Sequence, residues 1–142
     1  TGLDIREFLF MVVGQLGYAR QNYAKKRLKQ IEEQGEELQG NALSSFHLVE
    51  QRAQREQEEN ETMYMSGPTP VYYGDVIQLM HVRTGRYVSL NKNRPGLLDS
   101  SSRLVELQPG SAKSWIRLLP FYAHQLPGQP VVLGEQMIIS IS

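Results

Sequence analysis

The chain has 142 residues, 40% of them apolar and 21% charged, and its 15 basic and 15 acidic side chains leave no net charge. A neutral chain has no overall field to gather nucleic acid or anionic lipid, and the lack of cysteine excludes disulfide frameworks, thiolate nucleophiles and cysteine-ligated metals. No window approaches the roughly 18 consecutive apolar residues of a membrane helix. The sequence begins at Thr1 without a signal pattern and stops inside an apolar run, Met137 to Ser142, so both ends read as cut from something longer.

The first predicted element is the apolar, strand-sized run Phe8 to Val13. From residue 19 to 62 the composition changes: this stretch holds 16 of the 30 charged side chains and no proline. Apolar or small residues recur at Ala24, Leu28, Ile31, Gly35 and Leu38, then at Ala42, Phe46, Val49 and Ala53, in steps of three and four. That is one narrow apolar seam on each of two helices. Gly40 is placed to stop the first, and Asn41 or Ser44 to cap the second. The first helix starts basic (Lys25, Lys26, Arg27, Lys29) and the second ends acidic (Glu56, Glu58, Glu59, Glu61). Both arrangements oppose the helix dipole, and antiparallel pairing would set one against the other. The stretch therefore predicts a helical hairpin whose pairing depends on those charges.

Ser66, Gly67, Pro68, Thr69 and Pro70 form a turn-rich break, after which β-branched and aromatic residues come in short bursts. Strands are predicted at 76–82, 86–90, 103–108 and 114–119, the first two joined by a tight turn through Thr84 and Gly85. The run Gly74, Asp75, Val76, Ile77, Gln78, Leu79 is repeated sixty residues later as Gly134, Glu135, Gln136, Met137, Ile138, Ile139. A glycine, an acid and a strand used twice point to a barrel or sandwich built from a repeated unit. Within 114–119, Trp115, Arg117 and Leu119 fall on one face and Ile116 and Leu118 on the other, with Trp115 expected in the core and Arg117 exposed.

Nothing in the sequence assembles a catalytic centre. His47, His81 and His124 lie far apart and outside any metal-binding spacing, and His81, at the end of an apolar strand, reads as a hydrogen-bonded structural histidine. Ser100, Ser101 and Ser102 lack the glycines of a nucleophile elbow. No glycine-rich phosphate loop precedes a helix. Arg83, Arg86, Lys92 and Arg94 form a basic run around a hairpin, suited to a phosphate or an acidic protein surface, or to no more than solvent.

The run from Tyr73 to His81, followed by Gly85 to Lys92, Arg94 and Pro95, resembles the N-terminal β-trefoil of inositol 1,4,5-trisphosphate receptors. Leu97 and Leu98, Arg103 to Leu107, Ser114, Trp115, Leu118, Pro120 to Tyr122, and Val131 to Glu135 follow in the same order. Upstream, Arg6 to Phe10, Tyr18 and Gln21 resemble the strand that leads into the helical arm interrupting that trefoil. The resemblance implies a mainly β fold with a helical insertion, a partial β-trefoil interrupted by an antiparallel helical hairpin arm. Residues 1–18 would hold a trefoil strand, 19–65 the arm, and 66–142 further trefoil strands. The position of Arg117 is usually aromatic in animal members, on a surface implicated in coupling ligand binding to the channel.

By the same resemblance, the chain is a non-enzymatic regulatory segment of a homotetrameric calcium-release channel of the endoplasmic reticulum membrane. This segment would lie in the cytosol, without a cofactor, metal or nucleic-acid partner. It would contact the ligand-binding core and neighbouring subunits, and inositol trisphosphate would bind the parent protein outside this chain. The candidate interface residues are Arg117, Arg83, Arg86, Lys92 and Arg94 on the strands, and Lys25, Lys26 and Arg27 on the arm. The Gly-Asp-x-Ile-x-Leu-x-His and Thr-Gly-x-Tyr pattern is also similar to the repeats of protein O-mannosyltransferases, which implies the alternative of a stand-alone carbohydrate-binding or adaptor module.

Overall fold

The computed structural model describes residues 2–35, 40–66 and 69–141. The chain divides into two compact units, one made of Leu16–Gly67 and the other of Thr1–Gln15 with Pro68–Ser142.

The second of these is a six-stranded sheet in which every pairing is antiparallel. Its strands are β1 (Phe10–Gly14), β2 (Val76–His81), β3 (Tyr87–Pro95), β4 (Arg103–Gln108), β5 (Ile116–Pro120) and β6 (Met137–Ile141), in the order β4-β3-β2-β5-β6 with β1 also on β2. The apolar run at the start enters its strand later than its composition predicts. Asp4 accepts the Arg6 backbone N–H at 3.0 Å and caps a 3-10 turn over Ile5–Phe8, which draws Phe8 out of the strand.

The repeat is a structural one. Asp75 N–H donates to the Tyr72 carbonyl at 3.1 Å and Glu135 N–H to the Val132 carbonyl at 3.3 Å, with Gly74 at φ 99° and Gly134 at φ 89° between them. A glycine with positive φ at the third position of a four-residue turn is the requirement of a type II geometry, which explains why both copies carry it. Each turn then launches a strand, β2 or β6, that pairs with β5 from opposite sides.

Ile77, Ile116 and Leu118 form the buried centre, with Val71, Leu79, Val131 and Met137 packed against them. Trp115 is not part of it. The sequence predicts a strand from residue 114, but Ala112–Ser114 wind into a 3-10 turn under a Ser111 cap, so Trp115 ends that turn half-buried. The alternation beyond it holds, with Ile116 and Leu118 inward and Arg117 exposed. Beneath the turn, Gln78 and Ser114 are both fully buried, and Gln78 Nε2 donates to Ser114 Oγ at 2.7 Å. The turn into β3 runs through Thr84 and Gly85 as predicted, with His81 N–H donating to the Arg86 carbonyl at 2.7 Å.

The other unit is a pair of helices, α1 (Ala19–Gln34) and α2 (Asn41–Met65). Gly35, expected within the first seam, instead terminates α1 in a left-handed conformation, its N–H reaching the Glu32 carbonyl. Gly40 is the residue before α2 and not the stop of α1, which makes Asn41 the first helical residue. Ser44 and Ser45 are inside the helix, donating to the carbonyls of Gly40 and Asn41 four residues back. Leu38, placed on the first seam, lies outside the described residues.

Candidate interaction surfaces

The helical unit is held at one end by an acidic residue of α2. The Tyr18 side chain, at the N-cap position, makes no capping bond to α1, and the first turn of the helix carries no acid. The orphan N–H groups of that turn donate instead to Glu56: Arg20 N to Oε1 at 3.1 Å and Gln21 N to Oε2 at 2.9 Å. Glu56 is buried, which for a carboxylate calls for such partners. One turn further along α2, Asn60 clasps Gly17 with both side-chain atoms, accepting its N–H at 2.8 Å and donating to its carbonyl at 2.7 Å. The Arg20 guanidinium lies 3.7 Å from Glu59.

The acidic end of α2 thus does meet the start of α1, but the predicted partners are displaced. Lys25, Lys26 and Arg27 are exposed, beyond the first turn, and take no part in this clasp. Charge composition alone pointed to them, whereas the dipole is satisfied at the backbone N–H groups of Arg20 and Gln21. Arg27 lines a cavity of about 340 Å³ near the opposite end of the pair, with Tyr23, Ile31, Phe46 and Val49.

On the sheet, the basic run does not converge. Arg83 pairs with Glu7, Arg86 precedes β3, and Lys92 and Arg94 sit near its far end. At about 3.3 Å per residue, Arg86 and Arg94 are separated by roughly 25 Å of strand, too far for one small ligand. Lys92 also borders a groove of about 370 Å³ with Asn91, Asn93, Lys113 and Ile141. Arg117 is exposed on β5, its Nη1 at 3.5 Å from the Gly74 carbonyl.

His81 is the structural residue its position implied. It is buried, with Nδ1 at 2.9 Å from Thr84 Oγ1 and Nε2 at 2.9 Å from the Glu7 carbonyl. His47 instead pairs with Glu50 on α2, and His124 stacks on Tyr122. Among the described residues no group of three potential ligands is placed to hold a metal ion, and no helix is long and apolar enough to cross a membrane.

One polar cluster escaped the sequence reading. The buried Tyr73 hydroxyl donates to Glu135 at 3.2 Å, and Gln125 Nε2 donates to the same carboxylate oxygen at 2.9 Å. Burial first, and the neighbouring carboxylate second, push the Tyr73 phenol above its ordinary value. The cluster ties the first repeat to the second. The repeat does not signal it, since Asp75, the acid equivalent to Glu135, accepts the Tyr72 backbone N–H at 2.9 Å instead.

Residues 3–142 match the family model described as inositol 1,4,5-trisphosphate/ryanodine receptor. The match runs through the helical pair and the sheet alike. The chain is also 26% identical, over 134 residues, to the inositol 1,4,5-trisphosphate receptor itr-1 of Caenorhabditis elegans. That alignment covers 93% of this chain and 4% of the relative. The chain belongs to the inositol 1,4,5-trisphosphate/ryanodine receptor family, as a β-rich domain with a helical insertion.

Proposed function

We propose that this chain is a regulatory N-terminal segment of an inositol trisphosphate-gated calcium-release channel, acting through protein contacts on ligand binding and on its coupling to the pore. The observation that carries the reading is the continuous family match across both compact units. In this reading, residues 1–18 and 66–142 belong to a β-trefoil and 19–65 form an arm inserted into it. The parent channel is a homotetramer of the endoplasmic reticulum membrane, and this segment faces the cytosol. Arg117 and the basic residues of the β3 region meet the ligand-binding core, while Lys25, Lys26 and Arg27 meet a neighbouring subunit. In this reading inositol trisphosphate binds elsewhere in the parent: Arg83 is paired with Glu7, and Arg86 and Arg94 stand too far apart along β3 to hold one small ligand.

The test is calcium release from the full-length polypeptide in cells lacking other such receptors. Removing this segment, or reversing Arg117 to Glu, should move the half-maximal inositol trisphosphate concentration by about 5-fold or more, the lower end of a typical coupling. Release curves that superimpose on the intact protein would remove the regulatory assignment. Saturable binding of inositol trisphosphate to the isolated 142-residue chain would place the ligand site here and overturn it differently.

A further inference from the structure

The connection from β3 to β4 ends in two of the most exposed leucines of the molecule, Leu97 at 86% and Leu98 at 103% of full accessibility. Isolated exposed leucines are ordinary; two in succession at the tip of a fixed turn are not. The turn is held from within. Gly96 N–H donates to the Ser102 carbonyl at 3.2 Å, and Ser102 donates through both N–H and Oγ to the Asp99 carbonyl, at 3.2 and 2.7 Å. Ser101 closes on the Asp99 carboxylate with its N–H at 2.9 Å and its hydroxyl at 2.7 Å. Gly96 is required there because a Cβ would strike Ser102 Oγ and lie 2.9 Å from the Asp99 carbonyl oxygen.

The base of the turn is cationic. The β3–β4 ladder pairs Asn91 with Leu104 and then Pro95 with Arg103, so Lys92, Asn93 and Arg94 bulge out with no counterpart on β4. Asn91 fixes the bulge by accepting the Asn93 N–H at 3.2 Å. Lys92, Arg94 and Arg103 are all exposed around the point where the turn leaves the sheet. The one acid in the turn, Asp99, directs its carboxylate to Ser101 and not to these cations.

From this geometry we infer that the 95–102 turn is a preorganised docking knob. Leu97 and Leu98 enter an apolar pocket rimmed by carboxylates, supplied by a later segment of the same polypeptide. The cationic collar dictates the acidic rim. The fixed turn means that little conformational freedom is lost on docking. Docking to a covalently joined site is an intramolecular event, which favours the parent chain over a free protein, and the aligned region is only 4% of the relative's length. The inference rests on the reading of this chain as a segment of a receptor.

A benzophenone amino acid placed at Leu98 in the full-length polypeptide tests it. Irradiation should give an adduct at single-subunit mass, mapped to an apolar, Asp/Glu-containing peptide outside residues 1–142 of this sequence. The double reversal Arg94→Glu and Arg103→Glu should cut the yield about 5-fold or more, and Leu97→Asp about tenfold, one buried leucine's worth of affinity. An adduct at two-subunit mass, an adduct on a different protein, or none in a polypeptide that still releases calcium would overturn the docking. Absence of any regulatory effect of the segment on calcium release is a separate result, which fails the proposed function and leaves an intrachain adduct standing.

Discussion

Replacing Glu56 by alanine should loosen the start of α1, because the first-turn amides of Arg20 and Gln21 find their acceptors only across the helical pair. Side-chain caps are worth about 0.5–2 kcal/mol, and a carboxylate beside a partly buried helix N-terminus adds up to about 2 kcal/mol. Water reaches the exposed Arg20 and recovers part of this. The net loss is therefore about 2 kcal/mol, a factor of roughly 30 in local opening. Glu56→Gln keeps one carbonyl acceptor and loses the charge, so about half that loss is expected. Glu56→Asp is one methylene too short to reach both amides and should resemble alanine. Amide hydrogen exchange reads this directly, since Arg20 and Gln21 lie ahead of the helix's own i to i−4 bonds and their protection depends on Glu56. Exchange at these two amides within a factor of about two of wild type in Glu56→Ala, with the helices still paired, would refute the clasp as the capping device.

Ser114→Ala removes the acceptor of the fully buried Gln78 amide and should lower stability by about 1–3 kcal/mol, measurable by urea unfolding. Asp99 is held below the ordinary carboxylate range by its hydrogen bonds to Ser101, side chain first and backbone second. This contribution is present above the unfolded value and disappears as pH falls through the folded one, so Ser101→Ala should raise the Asp99 midpoint in a carboxyl-carbon NMR titration. The triple reversal Lys25→Glu, Lys26→Glu and Arg27→Glu should leave far-ultraviolet ellipticity nearly unchanged. The dipole acts within the first turn, and the acid introduced by Lys25→Glu would stand four residues before Lys29, a favourable spacing; a loss of more than about a fifth of the signal would show that these charges hold α1.

The elements legible in advance were those with a strong period or a decisive glycine. Helix α2, the turn at Thr84 and Gly85, and the strands β2, β4 and β6 follow their apolar spacing closely, and the Gly74 and Gly134 repeat reappears as two equivalent turns on either side of β5. The departures came where backbone hydrogen bonds outweighed composition. Asp4 and Ser111 each nucleate a short 3-10 turn, shifting the starts of β1 and β5 and taking Trp115 from the core. Gly35 took the stop expected of Gly40 because either glycine can adopt positive φ, and both do, so residue type alone does not choose between them. The clasp was legible only as spacing: the second seam, Ala42, Phe46, Val49 and Ala53, continues in the same steps to Glu56 and Asn60 and so sets both on the face toward α1, whereas composition groups Glu56 with Glu58, Glu59 and Glu61.

That selection of Glu56 alters what the remaining charges are for. If Lys25, Lys26 and Arg27 had neutralised the acidic end of α2, the helical pair would present a nearly spent surface. With Glu56 committed to backbone amides and Glu59 near Arg20, the basic triad stays outside the clasp, while Glu58 and Glu61 are occupied only by Gln54 and Gln57 one turn back. Neutral amide partners leave a carboxylate's charge in place. One unit therefore carries exposed basic residues on α1 and exposed acids on α2 that do not pair with one another. Unpaired opposite charges on a narrow, solvent-exposed pair of helices contribute little to its stability. Their strongest physical effect is on encounter rate and on the choice of partner, where complementary fields act at a distance. The stability of the helical pair thus rests on Glu56 and Asn60 and not on these exposed charges, so mutations can separate the two sets of residues.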